Sequence, residues 1–165
     1  MERLASLAHL LLTHSLALER GELFEINSGI GAKPLVKALM KEAQTLGAMP
    51  FVRLEDDELS RLFYESIDLN NPGAMKSVFA KVEHWEKARW AHLDAHVDIG
   101  VDENDAELAG VDPEKLRLYR TAMREVRDIR IDQKRWVYLH WPTMADAQKA
   151  GMPMTICSRF SSTRL

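Results

Sequence analysis

Short strand-like segments separated by longer helix-like segments constrain the fold of this chain more than any other feature. Four segments favour strands, because each is short, apolar or alternating, and bounded by turn residues. They are Glu22–Asn27, Pro50–Leu54, Leu93–Val101 and Trp136–Trp141. Strands that alternate with helices need crossover connections, which place parallel strands side by side under covering helices. The sequence therefore predicts an α/β fold with a mainly parallel sheet of about four strands, flanked by helices.

Apolar residues at helical spacing, together with end signals, define the predicted helices. The helices are expected at residues 2–20, at residues 34–46, after Asp56 or Asp57 with Leu59, Leu62 and Phe63 on one side, along Met75, Val78, Val82 and Trp85, after Asp112-Pro113 with Leu116, Tyr119, Met123 and Val126 inward, and after Thr143. Gly21, Gly47 and Gly151 are the predicted stops. Asp146 lies three residues after Thr143, which predicts a capping box.

Length and charge narrow the class of protein. A chain of 165 residues is expected to form one domain. The net charge of −3 disfavours a nucleic-acid or an anionic membrane partner. No apolar run reaches the roughly 18 residues of a spanning helix, and no signal peptide is recognisable. The single cysteine, Cys157, excludes an internal disulfide and favours a cytoplasmic location.

The turn Ser28–Lys33 (SGIGAK) lies between a predicted strand and a predicted helix. Open α/β sheets bind phosphates at such turns, because glycines let backbone amides approach an anion at a helix N-terminus. This turn lacks the third glycine of the dinucleotide fingerprint and the spacing of a Walker loop. A plain turn that feeds a helix is therefore favoured, and a phosphate site is the alternative.

Two histidines and two aspartates alternate at the third predicted strand, as His92, Asp94, His96 and Asp98. On a strand these side chains would share one face, where imidazole and carboxylate groups could bind zinc. The favoured alternative is a strand at an exposed sheet edge that presents a polar face to water. The acidic segment Asp102–Glu107 lacks the ligand spacing of an EF-hand, so a solvated loop is expected there.

Aromatic and charged residues flank the fourth predicted strand, as Arg135-Trp136 and His140-Trp141. Stacking on a ligand is possible at the carboxyl end of a strand, but core packing is favoured for tryptophan in a two-sided sheet. Cys157 has no sequence-local partner that would mark it as a nucleophile, and no Ser-His-Asp arrangement is legible. The sequence therefore assigns no catalytic, cofactor-binding or metal-binding residue.

Three stretches carry a family resemblance: Leu7–Leu62, Ala106–Ile131 and Arg135–Met152. The segments LAGVDPEK and RW…WPT…AQKAGM within them are its most specific parts. They resemble the N-terminal domain of the thermophilic-type metallo-aminopeptidases, the aminopeptidase T and aminopeptidase S family. The resemblance covers nearly all of residues 4–152 in order, with a looser match from Glu65 to Asn104.

The resemblance implies a two-domain exopeptidase with a Rossmann-like, three-layer N-terminal domain. Two divalent metal ions, zinc or cobalt, would activate a water and polarise the scissile carbonyl of a peptide substrate. Family members generally form homodimers. Their metal ligands and catalytic residues lie in the C-terminal domain. No metal ion is therefore expected in this chain, and the chain alone is expected to be inactive.

The sequence departs from the family after Met152, where PMTICSRFSSTRL replaces an acidic, aromatic helix. Residues 1–152 are expected to form the N-terminal domain, and residues 153–165 an aberrant, disordered tail. The C-terminal metal-binding domain is expected to be absent, through a shifted reading frame or a truncated gene. The competing interpretations are a stand-alone α/β module that binds a ligand or phosphate, and a dimerisation domain.

Overall fold

A four-stranded parallel sheet forms the centre of the protein, as predicted. The computed structural model describes residues 2–104 and 106–154. The strands are β1 (Leu23–Gly29), β2 (Met49–Glu55), β3 (Ala95–Gly100) and β4 (Arg135–His140). The helices are α1 (Glu2–His9), α2 (Lys33–Leu46), α3 (Asp57–Glu65), α4 (Pro72–Ala91), α5 (Pro113–Ala122), α6 (Arg124–Asp132) and α7 (Met144–Lys149). The strand order is β2-β1-β3-β4, and every neighbouring pair is parallel.

The sheet separates two helical layers. Phe24 and Ile26 of β1 and Val97 of β3 belong to the larger apolar core, which α1 and α2 cover. Trp90 of α4 and Val126 of α6 form a smaller apolar cluster with the neighbouring residues on the opposite side. The sheet is therefore the middle of three layers, in agreement with the sequence prediction.

Helix ends follow the predicted signals. Gly47 adopts a positive φ of 75° after α2, a conformation that glycine reaches without steric cost. The Asp56 carboxylate accepts a hydrogen bond from the Leu59 N–H and caps α3. Thr143 and Asp146 form the predicted capping box at α7. These local contacts stabilise the ends of helices that flank the sheet.

The first helical run is shorter than predicted and changes its winding. α1 continues as a π-helical segment, Leu10–Ser15, in which the Leu16 N–H bonds to the Leu11 carbonyl at 2.9 Å. Ala17 then adopts a positive φ of 45°. The run consequently ends at Ser15 rather than at residue 20, because this backbone conformation cannot continue a right-handed helix.

The predicted long helix after Pro113 is also wrong in one respect, because it is divided into α5 and α6. Met123 lies at the break, with φ −92° and ψ 10°. Val126 is buried as expected, whereas Leu116 and Tyr119 are only half-buried. The break lets α5 and α6 each pack against α4.

The apolar residues on α3 and α4 are not all directed into the core. α4 buries Phe79, Glu86 and Trp90. By contrast, Val78 and Trp85 are 45% and 65% exposed. On α3, Leu59, Leu62 and Phe63 are likewise exposed. Among the described residues, no helix is both long and apolar enough to cross a membrane.

Candidate functional site

One face of the sheet carries charged side chains in the protein interior. Glu25 of β1 and His96 of β3 are register partners, and so are Asn27 and Asp98. Glu25 and His96 are only 1% and 2% exposed. We call this surface, defined by these four residues, the polar face. Ionic groups at such depth need partners, because burying an unpaired charge is strongly unfavourable.

Arg89 of α4 supplies the partner of Glu25. The Arg89 guanidinium forms an ion pair with the Glu25 carboxylate and donates a hydrogen bond to Glu86 Oε2 at 2.6 Å. Its carbon centre also lies 5.0 Å from the Trp90 ring, within cation–π range. Burial and the neighbouring charge of Arg130 lower the pKa of Arg89 from its usual value. The guanidinium nevertheless stays charged, since arginine starts from a very high pKa.

Arg130 of α6 holds Asp98 of β3. One Arg130 nitrogen lies 2.8 Å from Asp98 Oδ1 and 3.0 Å from Oδ2. Burial raises the pKa of Asp98, but His96, Arg130 and Asn27 together lower it by more than burial raises it. The net pKa is therefore below the usual value. Asp98 is therefore an ionised carboxylate whose charge is neutralised within the fold.

The four alternating residues from His92 to Asp98 do not share one strand face, which corrects the sequence prediction. His92 ends α4 and is exposed. Asp94 precedes β3, and its carboxylate accepts the Leu23 N–H at 2.9 Å. Only His96 and Asp98 belong to β3. The expected exposed edge is also wrong, because β3 lies between β1 and β4 inside the sheet.

The described residues contain no group of three histidine, cysteine, aspartate or glutamate side chains placed to bind a metal ion. The polar face comes nearest to one, through His96 and Asp98. However, guanidinium groups already contact its carboxylates. A divalent cation at Asp98 would lie beside the charge of Arg130, and Coulomb repulsion opposes that placement.

The Ser28–Lys33 turn lies against acidic side chains. Ser28 and Gly29 extend β1, and Ile30–Ala32 form a short 3₁₀ turn before α2. A Cβ atom on Gly31 would lie 2.6 Å from Glu103 Oε1, so this glycine packs against a carboxylate. The crevice beside the turn is lined by Gly29, Ile30, Glu55, Asp56, Asp57, Val101 and Glu103.

This crevice lies where phosphates bind in open α/β sheets, but its electrostatics are unsuitable for an anion. Burial raises the pKa of Asp57, and Asp102, Asp56, Glu103 and Glu107 raise it further. Burial makes the largest contribution to this rise, and the neighbouring carboxylates add to it through mutual repulsion. A phosphate would add negative charge to the same place, so the plain-turn interpretation of residues 28–33 is the one that fits.

The acidic segment after β3 is held against α3 by hydrogen bonds. The Arg61 guanidinium donates to the Glu107 and Ala109 carbonyl oxygens. The Asn104 side chain donates to Glu107 Oε2 at 2.8 Å. Asp105 lies outside the described residues. Arg61 therefore helps to hold this segment in place, consistent with the expected loop.

The residues around β4 have structural contacts. Arg135 donates to the Leu16 and Ala17 carbonyls at 3.0 and 2.9 Å and pairs with Glu22, which fastens the end of the π-helical segment. His140 Nε2 lies 2.8 Å from Asp146 Oδ2. Burial raises the pKa of Asp146, while His140 and Thr143 lower it to a net value below the usual one.

The two tryptophans of this strand differ from each other. Trp141 packs against the larger core, as predicted. Trp136 is 46% exposed and stacks on the His96 ring, with centroids 6.4 Å apart. Cys157 and residues 155–165 lie outside the described residues, so the expected disorder of the tail stays a prediction.

The sequence interpretation missed most of the charged cluster on the polar face. No site was predicted from the sequence at Glu25, Glu86, Arg89 or Arg130. One signal was present, because Glu25 interrupts the apolar strand LFEIN. A charged residue in the middle of a strand that is covered on both faces indicates an interior ionic partner. The identity of that partner required the tertiary structure.

Comparisons with known proteins agree with the fold. The sequence profile of the thermophilic metalloproteases (M29) matches residues 1–155. Wild-type AmpT from Thermus thermophilus superposes on this chain with a TM-score of 0.67 and 19% sequence identity. At so low an identity, the superposition supports the fold alone. The superposition covers 96% of this chain and 41% of AmpT, so the chain spans less than half the length of that protein. No curated protein matches the sequence significantly.

Proposed function

Because the chain belongs to the thermophilic metalloprotease (M29) family, we propose that residues 1–152 are the non-catalytic N-terminal domain of a metal-dependent aminopeptidase. The observation that carries this proposal is the family match over residues 1–155. The 41% coverage of AmpT supports it, because more than half of that relative has no counterpart among these 165 residues. In this account, two zinc or cobalt ions and the peptide substrate bind elsewhere in the enzyme.

The carboxylate and imidazole side chains of the described residues also support a metal site elsewhere in the enzyme. A pair of hydrolytic metal ions needs several free carboxylate and imidazole ligands around one cavity. In this domain the buried carboxylates Glu25 and Glu86 and the partly buried carboxylate of Asp98 contact arginine instead. These residues therefore do not fit a two-metal centre, and no hydrolytic step is assigned to them.

An activity assay of the purified 165-residue chain tests the proposal. The chain is incubated with aminoacyl p-nitroanilides and with zinc or cobalt, beside an active metallo-aminopeptidase as positive control. We expect release of p-nitroaniline at the rate of the metal-only blank. Metal-dependent turnover that a chelator abolishes, and that follows the folded chain through purification, would refute the assignment.

We further propose that the domain associates as a homodimer through the side of the molecule formed by β2, α3 and α4. Large apolar side chains of these three elements are exposed: Met49, Phe51, Leu54, Leu59, Leu62, Phe63, Val78 and Trp85. Such a concentration of apolar surface is typical of a protein interface. A cytoplasmic location, proposed from the single cysteine, is compatible with this association.

Light scattering of the purified chain tests the dimer. The matched variants are Trp85→Ser on the proposed interface and Trp136→Ser on β4, the edge strand opposite β2. We expect a dimer mass for the parent and for Trp136→Ser, and a monomer mass for Trp85→Ser. A monomeric parent, or equal masses for both variants, would contradict the proposed interface.

A further inference from the structure

β2 forms one edge of the sheet, and within the described residues its only strand neighbour is β1. The strand is seven residues long, from Met49 to Glu55, and pairs with β1 over its whole length. The unpaired backbone groups on the outer side of such a strand can pair with another chain. Large apolar side chains of β2 are exposed beside this free edge, on Met49, Phe51 and Leu54. The edge therefore offers both backbone hydrogen bonds and apolar surface to a partner strand.

The direction of the backbone groups of β2 follows from one hydrogen bond. The Met49 N–H donates to the Glu22 carbonyl oxygen, immediately before β1, at 2.8 Å. Successive peptide groups of a strand point to opposite sides, so every second N–H group after Met49 also points toward β1. The N–H groups of Val52 and Leu54 lie between these and point to the free edge.

Pro50 restricts the strands that can pair with this edge. It occupies an outward-pointing position and has no N–H, so it donates no hydrogen bond to a partner strand. Proline on an edge strand is one of the ways in which proteins limit strand pairing. The Pro50 carbonyl oxygen can still accept a hydrogen bond. A suitable partner therefore places an N–H donor opposite Pro50 and needs no donor from it.

A second copy of β2 meets this condition when the two strands run antiparallel about a two-fold axis at Val52. Val52 then faces Val52 of the second copy, and the two residues exchange N–H···O bonds. Leu54 of each copy faces Pro50 of the other copy, and its N–H donates to the Pro50 carbonyl oxygen. The two strands overlap completely in this register. All the outward-pointing N–H groups of both strands are consequently used.

The side chains are also complementary in this register. Phe51 faces Arg53 of the second copy, and Met49 faces Glu55 of the second copy. An arginine beside an aromatic ring is a favourable cross-strand pair. Neither Arg53 nor Glu55 faces a residue of like charge. The same contacts occur twice, because a two-fold axis repeats each of them.

The neighbouring two-fold registers are less favourable. An axis at Arg53 places the two Arg53 side chains opposite each other, and like charges in that position are destabilising. An axis at Leu54 runs the amino end of each strand against α3 of the other copy. An axis at Phe51 places Leu54 opposite Ala48, whose N–H already bonds to the Ala43 carbonyl oxygen. The axis at Val52 is therefore the one that the strand favours.

We propose that two copies of the domain pair through their β2 edges, antiparallel about Val52, and so join their four-stranded sheets into one continuous sheet. This inference rests on the homodimer proposed above and specifies the backbone groups that bond in it. The pairing closes on itself, since each copy uses its β2 edge once. It therefore yields a dimer and not a filament.

Amide hydrogen exchange of the parent chain, followed by ¹⁵N NMR at a concentration where light scattering gives a dimer mass, tests the pairing. The amides of Phe51 and Arg53 point toward β1 and serve as internal controls for folding. We expect the Val52 and Leu54 amides to exchange on the order of a hundredfold more slowly than in an unstructured peptide. A dimer whose Val52 and Leu54 amides exchange at unprotected rates would overturn the edge pairing and leave the homodimer in place. A monomeric parent would overturn both.

Leu54→Pro gives a second test by light scattering. This substitution removes an N–H from the free edge and leaves the N–H groups that point toward β1 in place. The matched control is Leu54→Val, which keeps the N–H. We expect a monomer mass for Leu54→Pro and a dimer mass for Leu54→Val. A dimeric Leu54→Pro would contradict the edge pairing, and the exchange measurement on the parent decides the question if Leu54→Pro does not fold.

Discussion

Removal of the Arg130 guanidinium is expected to destabilise the domain more than any other single charge deletion on α6. Arg130→Met keeps most of the aliphatic stem but leaves the Asp98 carboxylate without its two contacts at 2.8 and 3.0 Å. Loss of one partner of a buried pair costs about 3–5 kcal/mol. The Arg130 and Asp98 side chains are 30% and 23% exposed, so water compensates part of this loss. We therefore expect about 2–3 kcal/mol, or a Tm lowered by roughly 4–12 °C.

Urea and thermal unfolding, followed by circular dichroism, measure this cost. The matched control is Arg124→Met, also on α6. Arg124 is 78% exposed, and its nearest carboxylate oxygen, on Asp128, is as far as 4.0 Å away. An exposed pair of this kind contributes about 0.5 kcal/mol or less. Equal destabilisation by Arg130→Met and Arg124→Met would refute the claim that Asp98 depends on an interior partner.

The pH dependence of the Arg130→Met effect gives a second check with a definite sign. The pKa of folded Asp98 is below its usual value, so its ionic contribution is present above the unfolded value of about 3.9. That contribution is lost as the pH falls through the folded value. The stability difference between the parent and Arg130→Met is therefore expected to shrink in acid. A difference that stays the same in acid would show that Arg130 acts through packing rather than through Asp98.

Two further substitutions test the packing at the carboxyl end of the sheet. Gly29→Ala places a Cβ atom 2.6 Å from Val101 Cβ, so overpacking should cost about 1–3 kcal/mol of stability. The control Gly73→Ala meets no atom within 4 Å and should be neutral or stabilising. Chemical denaturation of both variants measures the difference. Thr143→Ala removes the α7 cap and a 2.8 Å hydrogen bond to the Asp102 carbonyl, so we expect about 1–2 kcal/mol of lost stability, which Thr143→Ser should largely restore in the same assay.

Local signals in the sequence were sufficient for the strands and for most helix ends. Gly47, Asp56 and Thr143 act within a few residues of themselves, so their roles could be predicted from spacing alone. The break at Met123 could not, because the apolar pattern runs through it and packing against α4 divides α5 from α6. Local pattern therefore predicts where elements lie, but not how tertiary contacts bend them.

The polar face depends on contacts between distant parts of the chain, which explains why the sequence analysis missed it. Arg130 meets Asp98 across 32 residues, and Arg89 meets Glu25 across two different elements. Alternation of His92, Asp94, His96 and Asp98 suggested ligands on one strand, but α4 extends to Ala91 and removes the first two from β3. Spacing could not reveal that arginines on the covering helices already contact the carboxylates of Glu25 and Asp98.

Anomalous diffraction from crystals of the protein grown with zinc locates any metal ion that binds to the domain. We propose that arginines neutralise the carboxylates of the polar face and that the hydrolytic metal ions of the family bind outside residues 1–154. We therefore expect no anomalous peak at His96 or Asp98, with Arg130 still contacting both carboxylate oxygens of Asp98. A zinc peak within bonding distance of His96 and Asp98, with Arg130 displaced, would contradict this proposal.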